Sequence, residues 1–217
     1  MIRGVIFDMD GLMFDTERLW DTLWGPCCAE LGLPQPTEAF LAGGRGLAGE
    51  NLRNHLREFY PQIDPQTLLD KVWELAHRRF AEGVPCKPGL KELLAYLAQR
   101  GLPRIVASSS PRAMIEQNLR LTGTARYFDE VVCGSDVPRS KPDPAIFLKA
   151  AQQLGVDIHD CLVLEDSHNG VRAGRAAGAV VVMVPDLMPV TDEMRALYDA
   201  CCADLFEVKA LLETGQL

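Results

Sequence analysis

Short runs of Val, Ile, Leu and Phe, each ending in a polar residue, recur in two parts of the chain. Gly4–Asp8, Arg104–Ser108, Glu130–Cys133, Cys161–Glu165 and Val180–Val184 are apolar without strict alternation, which predicts strands covered on both faces. Helical patterns with legible ends lie between them. Leu90 to Arg100 sets Leu93, Leu94 and Leu97 on one face and stops at Gly101. Ser110-Pro111 and Asp143-Pro144 each read as a cap residue followed by proline in the first turn. Val171 to Ala177 stops at Gly178. Strands alternating with helices predict an α/β fold with a parallel sheet.

Residues 16–85 have a different texture, with no convincing strand. Leu19, Leu23 and Cys27 recur at a spacing of four, with Trp20, Trp24 and Cys28 on the adjoining stripe. Leu52, Leu56 and Phe59, then Leu69, Val72, Trp73, Ala76 and Phe80, repeat the helical period. Ala42-Gly43-Gly44-Arg45-Gly46 is expected to break it as a flexible loop, and Val84-Pro85-Cys86-Lys87-Pro88-Gly89 to form a stiff return. The expected organisation is a discontinuous core of residues 1–15 and 86–217, with a helical module of residues 16–85 spliced into it.

Composition narrows the possibilities. The 217 residues carry 30 acids against 22 Lys and Arg, a formal charge of −8, and a field of that sign repels phosphate backbones. Nucleic acid is therefore not an expected partner. The 47% hydrophobic and 24% charged content is that of a soluble globular protein. Seven cysteines, with two adjacent pairs and no C-x-x-C, fit neither a disulfide framework nor a zinc site. Cys133 and Cys161 sit in apolar runs and read as core residues. The N-terminus reaches an acid at Asp8, too early for a signal peptide, and no apolar stretch is long enough to span a bilayer. The expectation is a cytoplasmic monomer without a membrane or nucleic-acid partner.

Four strand ends carry candidate chemistry. Asp8-Met9-Asp10-Gly11 follows Val5-Ile6-Phe7, and carboxylates two residues apart on an extended segment point the same way. Such a pair repels itself unless a cation or shared proton compensates, so it reads either as a helix-capping turn or as a nucleophilic carboxylate with a neighbouring acid/base beside a hard metal ion. A calcium loop does not fit, because Gly11 as its turn glycine would put the first ligand at Ile6, inside the strand. Ser108-Ser109-Ser110 ends the next strand, where a hydroxyl and backbone N–H groups can meet a phosphoryl oxygen or simply cap a helix. Lys141, in Ser140-Lys141-Pro142-Asp143-Pro144, is either an exposed loop lysine or a point charge for an anion. Glu165-Asp166 ends a fourth run and can complete the oxygen shell of Mg²⁺, whereas His168 suits solvent better than a hard cation.

This ordered set resembles the haloacid dehalogenase-like (HAD) hydrolase superfamily, in its branch with a helical cap after the first motif, which holds phosphatases and β-phosphoglucomutase-like members. The resemblance spans nearly the whole chain and implies a Rossmann-like core with an inserted cap. It implies that Asp8 attacks phosphorus to form an aspartyl-phosphate. Asp10 would protonate the leaving oxygen and then activate water. Ser108 and Lys141 would stabilise the phosphoryl oxygens, and Mg²⁺ would be held by Asp8, Asp10 through its carbonyl, and Asp166, with Glu165 as a further ligand candidate. Ser109 and Arg45 are the substrate-contact candidates. Arg45 grips an anionic group or is plainly solvated; Trp20 and Trp24 line the cap's substrate face or pack its core; His77, Arg78 and Arg79 face the cleft or solvent.

The implied activity is Mg²⁺-dependent hydrolysis of a small phosphomonoester, with a sugar phosphate favoured. Because Asp10 is present, attack on carbon to remove halide is disfavoured. The alternative is a phosphoryl-transfer mutase, whose relatives carry a cap histidine where this chain reads Thr16-Glu17-Arg18-Leu19-Trp20. A receiver-type phospho-aspartate signalling module is more remote, since receivers place the accepting Asp on a later strand and lack the helical insertion.

Overall fold

The computed structural model describes all 217 residues. The five apolar runs form β1 (Gly4–Phe7), β2 (Arg104–Ser108), β3 (Val131–Cys133), β4 (Cys161–Glu165) and β5 (Val180–Met183), and a short sixth strand, β6 (Ala200–Cys201), completes the sheet. All pairings are parallel, in the order β3-β2-β1-β4-β5-β6. β1 lies between β2 and β4, so the strand order reverses there and opens a crevice at the carboxyl ends.

The lack of alternation in the sequence has a direct cause. Val5, Phe7, Val106, Leu162 and Leu164 face one layer, built on α5 (Leu90–Gln99), α6 (Arg112–Leu121) and α10 (Leu205–Thr214). Ile6, Ile105, Ala107 and Val163 face the other, under α7 (Ala145–Leu154) and α8 (His168–Ala177). Both faces of β1 to β5 are largely buried, so both need apolar side chains. A short α9 (Asp192–Arg195) follows β5. All seven cysteines are free, and Cys133 and Cys161 are buried as expected.

Between β1 and β2 the chain makes only helices: α1 (Glu17–Glu30), α2 (Glu38–Gly44), α3 (Gly49–Phe59) and α4 (Pro65–Phe80). α1 packs on α4 through Leu23, Cys27, Leu69, Val72 and Ala76. Trp20 meets Trp73 and Phe80 edge-on at 4.7 and 5.3 Å between centroids. The outgoing and returning chains run side by side: Asp15 N–H donates to the Pro85 carbonyl at 3.0 Å and Lys87 N–H to that of Met13 at 2.9 Å. The stiff return is thus a pair of adjacent connections, cross-braced where Asp186 accepts from Arg18 at 2.9 Å and Lys87 at 2.8 Å. No helix is long and apolar enough to cross a membrane.

Two local expectations are corrected. Ala42, Gly43 and Gly44 do not form a flexible loop; they are the last turn of α2, and the chain leaves the helix only at Arg45 and Gly46. The glycines belong there because the His55 ring lies against that turn, where a Cβ on Gly43 would sit 2.9 Å from it. Ser110 is not the cap of α6. That helix begins at Arg112 with Pro111 in the cap position, which leaves the Ser110 hydroxyl free for another partner.

Candidate active site

The carboxyl ends of β1, β2 and β4, with the loop ahead of α7, converge on one cavity of ≈ 330 Å³. Its floor carries Asp8, Asp10, Ser108, Ser109, Ser110, Lys141 and Asp166, and its roof is formed by α1–α4. All eight site candidates from the sequence lie in or directly beneath it.

Lys141 is buried, and its Nζ lies 2.6 Å from Asp8 Oδ1, 2.6 Å from Glu165 Oε1 and 3.3 Å from the Ala107 carbonyl. An ammonium has three protons, and each finds an acceptor. Burial alone would pull this ammonium down, but the two carboxylates outweigh it and hold it above the ordinary lysine value. Burial pushes Asp8 up, to about 8, against the opposing pull of Lys141 and with Glu165 and Asp10 adding to the rise.

Glu165 is fully buried, and both its oxygens are engaged. Oε1 takes Lys141, while Oε2 accepts from the Asp166 and Ser167 N–H groups and the Ser167 hydroxyl, each at 3.0 Å. A Cβ at Gly170 would collide with this carboxylate, so the glycine makes room for it in the first turn of α8.

Asp10 Oδ2 accepts from the Ser110 hydroxyl at 2.7 Å and the Ser108 hydroxyl at 3.2 Å, while its Oδ1 is buried without a partner. Burial raises Asp10, and the neighbouring Thr16, Ser110 and Ser108 hydroxyls oppose the rise. The Ser108 hydroxyl therefore faces Asp10 and also accepts the Ser110 N–H at 3.0 Å, rather than standing free toward a ligand.

Asp8, Glu165 and Asp166 offer carboxylate oxygens that all lie within 4.8 Å of one another. Asp166 is nearly buried, its oxygens accept no hydrogen bond, and burial with Glu165, Asp8 and Glu17 nearby raises it well above the ordinary carboxylate range. Gly11, at φ +81°, lets that carboxylate approach β1, because a Cβ there would clash with Asp166 Oδ2. An all-oxygen donor set with negative charge in excess of its one lysine fits a hard divalent cation. A softer metal would call for nitrogen or sulfur, and none is present in the cluster.

On the roof, Arg45 does line the cavity, but its Nη2 and Nε lie 2.7 and 3.3 Å from Asp21 Oδ2. Trp20 and Trp24 both line the cavity and both pack the helical core, so the two readings of them are compatible. His77, Arg78 and Arg79 lie away from it at the end of α4, where Arg78 pairs with Glu74 and Arg79 with Glu82. His168 lies outside the cavity, where its Nε2 donates to the Pro189 carbonyl at 2.8 Å. Sequence reasoning missed Ser110, which it read as a helix cap, and also Glu17 and Asp21. Glu17 reaches the site from the first turn of α1, and burial, with Asp10, Asp8, Asp21 and Asp186 around it, raises it to about 8. Nothing in a lone acid at a helix start distinguishes it from a favourable dipole partner.

A parallel sheet whose switch point gathers carboxylates, a buried lysine and hydroxyls under a helical roof defines the active site of an enzyme with a doubly wound α/β core. Residues 2–178 match the haloacid dehalogenase-like hydrolase family, and the chain belongs to that family. It is 33% identical over 211 residues to hexitol phosphatase B of Escherichia coli K12, covering 96% of this chain and 95% of that protein. It is 31% identical over 181 residues to the fructose-1-phosphate phosphatase YqaB of the same organism, covering 83% and 95%. Among solved structures, a HAD family hydrolase from Deinococcus radiodurans with bound phosphate and sodium superposes with a TM-score of 0.77 at 28% identity, covering 100% of this chain and 97% of that one.

Proposed function

We propose that this enzyme is a cytoplasmic, monomeric Mg²⁺-dependent phosphatase that hydrolyses a small phosphomonoester, with a sugar phosphate as the favoured substrate. The observation that carries the reading is the pairing of Asp8 and Asp10. Asp8 has one oxygen fixed by Lys141 and the other accepting no hydrogen bond, and Asp10 has an unpartnered oxygen beside it. In this reading residues 16–85 are a cap that excludes water and meets the leaving group. Residues 1–15 and 86–217 are the core that does the chemistry. The names of the hexitol and fructose-1-phosphate phosphatases support the substrate class.

The free oxygen of Asp8 attacks phosphorus as the P–O bond to the alcohol breaks, and Asp10 gives the leaving oxygen its proton. Asp10 then takes a proton from water, whose oxygen bonds to phosphorus as the acyl-phosphate bond opens and inorganic phosphate leaves. Ser108 and Ser110 aim Asp10 for both transfers. Lys141 stays charged beside Asp8 and meets the charge on the phosphoryl oxygens, with Ser109 at the cavity wall. Asp8, Asp166 and the Asp10 carbonyl would hold Mg²⁺, which when bound offsets the phosphate charge. Glu165, with both oxygens engaged, acts through Lys141 and the Ser167 turn.

Phosphate release from 4-nitrophenyl phosphate, measured before and after chelation, tests the reading. Turnover is expected to vanish with the chelator and return with Mg²⁺. Turnover that persists without metal overturns it.

A further inference from the structure

Of the cations on the roof, the one that is mostly enclosed is already paired with acids. Three cations line the cavity. Lys141 is held by Asp8 and Glu165, and Arg53 is at the edge, 3.9 Å from Glu50. The third, Arg45, comes off the end of α2 and is only 19% exposed. Its Nε and Nη2 both reach Asp21 Oδ2, and Glu38 lies 3.9 Å away. Glu17 adds another carboxyl to the same wall. Trp20, Trp24, Leu52, Leu69 and Trp73 make up much of the remainder.

We propose that Asp21 is a specificity-determining residue. By neutralising Arg45 it makes the roof select an uncharged, polyhydroxylated leaving group and reject a second phosphate. The inference rests on the phosphatase reading above and deepens it. A phosphate dianion approaching Arg45 in the roof would meet the Asp21 carboxylate, already on that guanidinium, as a like charge. That is a repulsive element built against the wrong substrate. The same pair suits hydroxyls. Asp21 Oδ1 and Arg45 Nη1 have no protein partner, which leaves an acceptor beside a donor, and an alcohol can both give and accept a hydrogen bond. The tryptophans offer apolar faces for the carbon skeleton. A mutase has to move the phosphoryl group from Asp8 onto a hydroxyl of a bound monophosphate and hold the resulting bisphosphate. With Asp21 on Arg45, that intermediate finds no uncompensated cation in the enclosed part of the roof for its second phosphate.

The test compares fructose 1-phosphate with fructose 1,6-bisphosphate as inhibitors of 4-nitrophenyl phosphate turnover, in the wild type and in Asp21→Asn, with Asp21→Ala as a second variant. The wild type is expected to bind the monophosphate at least about tenfold more tightly. Asp21→Asn is expected to reduce that preference about tenfold by improving the Ki of the bisphosphate, and Asp21→Asn with Arg45→Gln to restore it. Equal Ki values in the wild type, inhibition by neither sugar, or a preference that does not respond to Asp21→Asn and Asp21→Ala overturns the proposal. Failure of the wild type to turn over 4-nitrophenyl phosphate with Mg²⁺ present would instead remove the phosphatase reading beneath it.

Discussion

Lys141 Nζ stands 2.6 Å from Asp8 Oδ1 and 2.6 Å from Glu165 Oε1, so one buried ammonium ties the end of β1 to the end of β4. Removing it strands two buried carboxylates. Lys141→Ala is expected to lower stability by about 3–5 kcal/mol, as for other broken buried pairs, and kcat by about 10²–10³-fold. Lys141→Arg is expected not to rescue activity, because a planar fork cannot replace a compact ammonium between two close oxygens. Urea unfolding and steady-state turnover check both expectations.

Asp8→Asn makes the opposite demand on stability. It removes one of three crowded carboxylates while Glu165 still partners Lys141. Turnover is expected to fall by about 10⁴-fold or more, as for loss of a nucleophile, with Tm unchanged or raised in the absence of metal. Thermal melts beside a phosphate-release assay settle the two halves separately.

Gly11 and Asp166 give a test of the metal site that does not touch a carboxylate. At φ +81°, with Asp166 Oδ2 against the position of a Cβ, Gly11→Ala forces that carboxylate away. Turnover is expected to fall about a hundredfold, the scale of a displacement of about 1 Å at a reacting centre. Mg²⁺ is expected to raise the Tm of the wild type in a melting titration, and that rise to shrink or disappear in Gly11→Ala.

Asp136 provides a pH-dependent test away from the site. Its Oδ2 accepts from the Cys133 N–H at 2.9 Å and from Arg112 Nη2 at 2.7 Å, and the Cys133 N–H foremost holds its carboxyl below the ordinary value. A depressed folded-state pKa adds stability that is present above the unfolded value near 3.8 and lost as pH falls through the folded value. Asp136→Asn is therefore expected to melt about 2–4 °C lower at neutral pH, or about 1 kcal/mol. The gap should close as the pH is taken below about 4, near the ordinary Asp value, in paired melts across that range.

The strand ends were legible in the sequence because burial on both faces leaves apolar runs with abrupt polar ends, and the chemistry sits at those ends. β2 and β4 carry the expected bounds, Arg104–Ser108 and Cys161–Glu165. β6, two residues long, leaves too short a pattern to register. The carboxylates and serines at the ends of β1, β2 and β4 were legible because each closes an apolar run, and Lys141 because it stands between rigid residues just ahead of a helix. The direction of a hydroxyl was not: Ser110 looks like a cap in the sequence and turns out to serve Asp10. The roof was least legible. Whether Arg45 is free depends on Asp21, twenty-four positions away on another helix, and no local pattern records that pairing.

The position of β1 in the middle of the sheet also shapes how the molecule is made. It comes first in chain order among the six strands, and its two neighbours are β2 and β4. Val5-Ile6-Phe7 has both edges unpaired until Arg104–Ser108 has been synthesised, and one edge unpaired until Cys161–Glu165 has. A nascent chain therefore carries an apolar, sticky segment through most of its translation, while the helices of residues 17–80 can already form locally. Asp8 and Asp10 meet Lys141, Glu165 and Asp166 only once the chain has been made through β4 and the turn after it, so chains that stop earlier lack the assembled cluster.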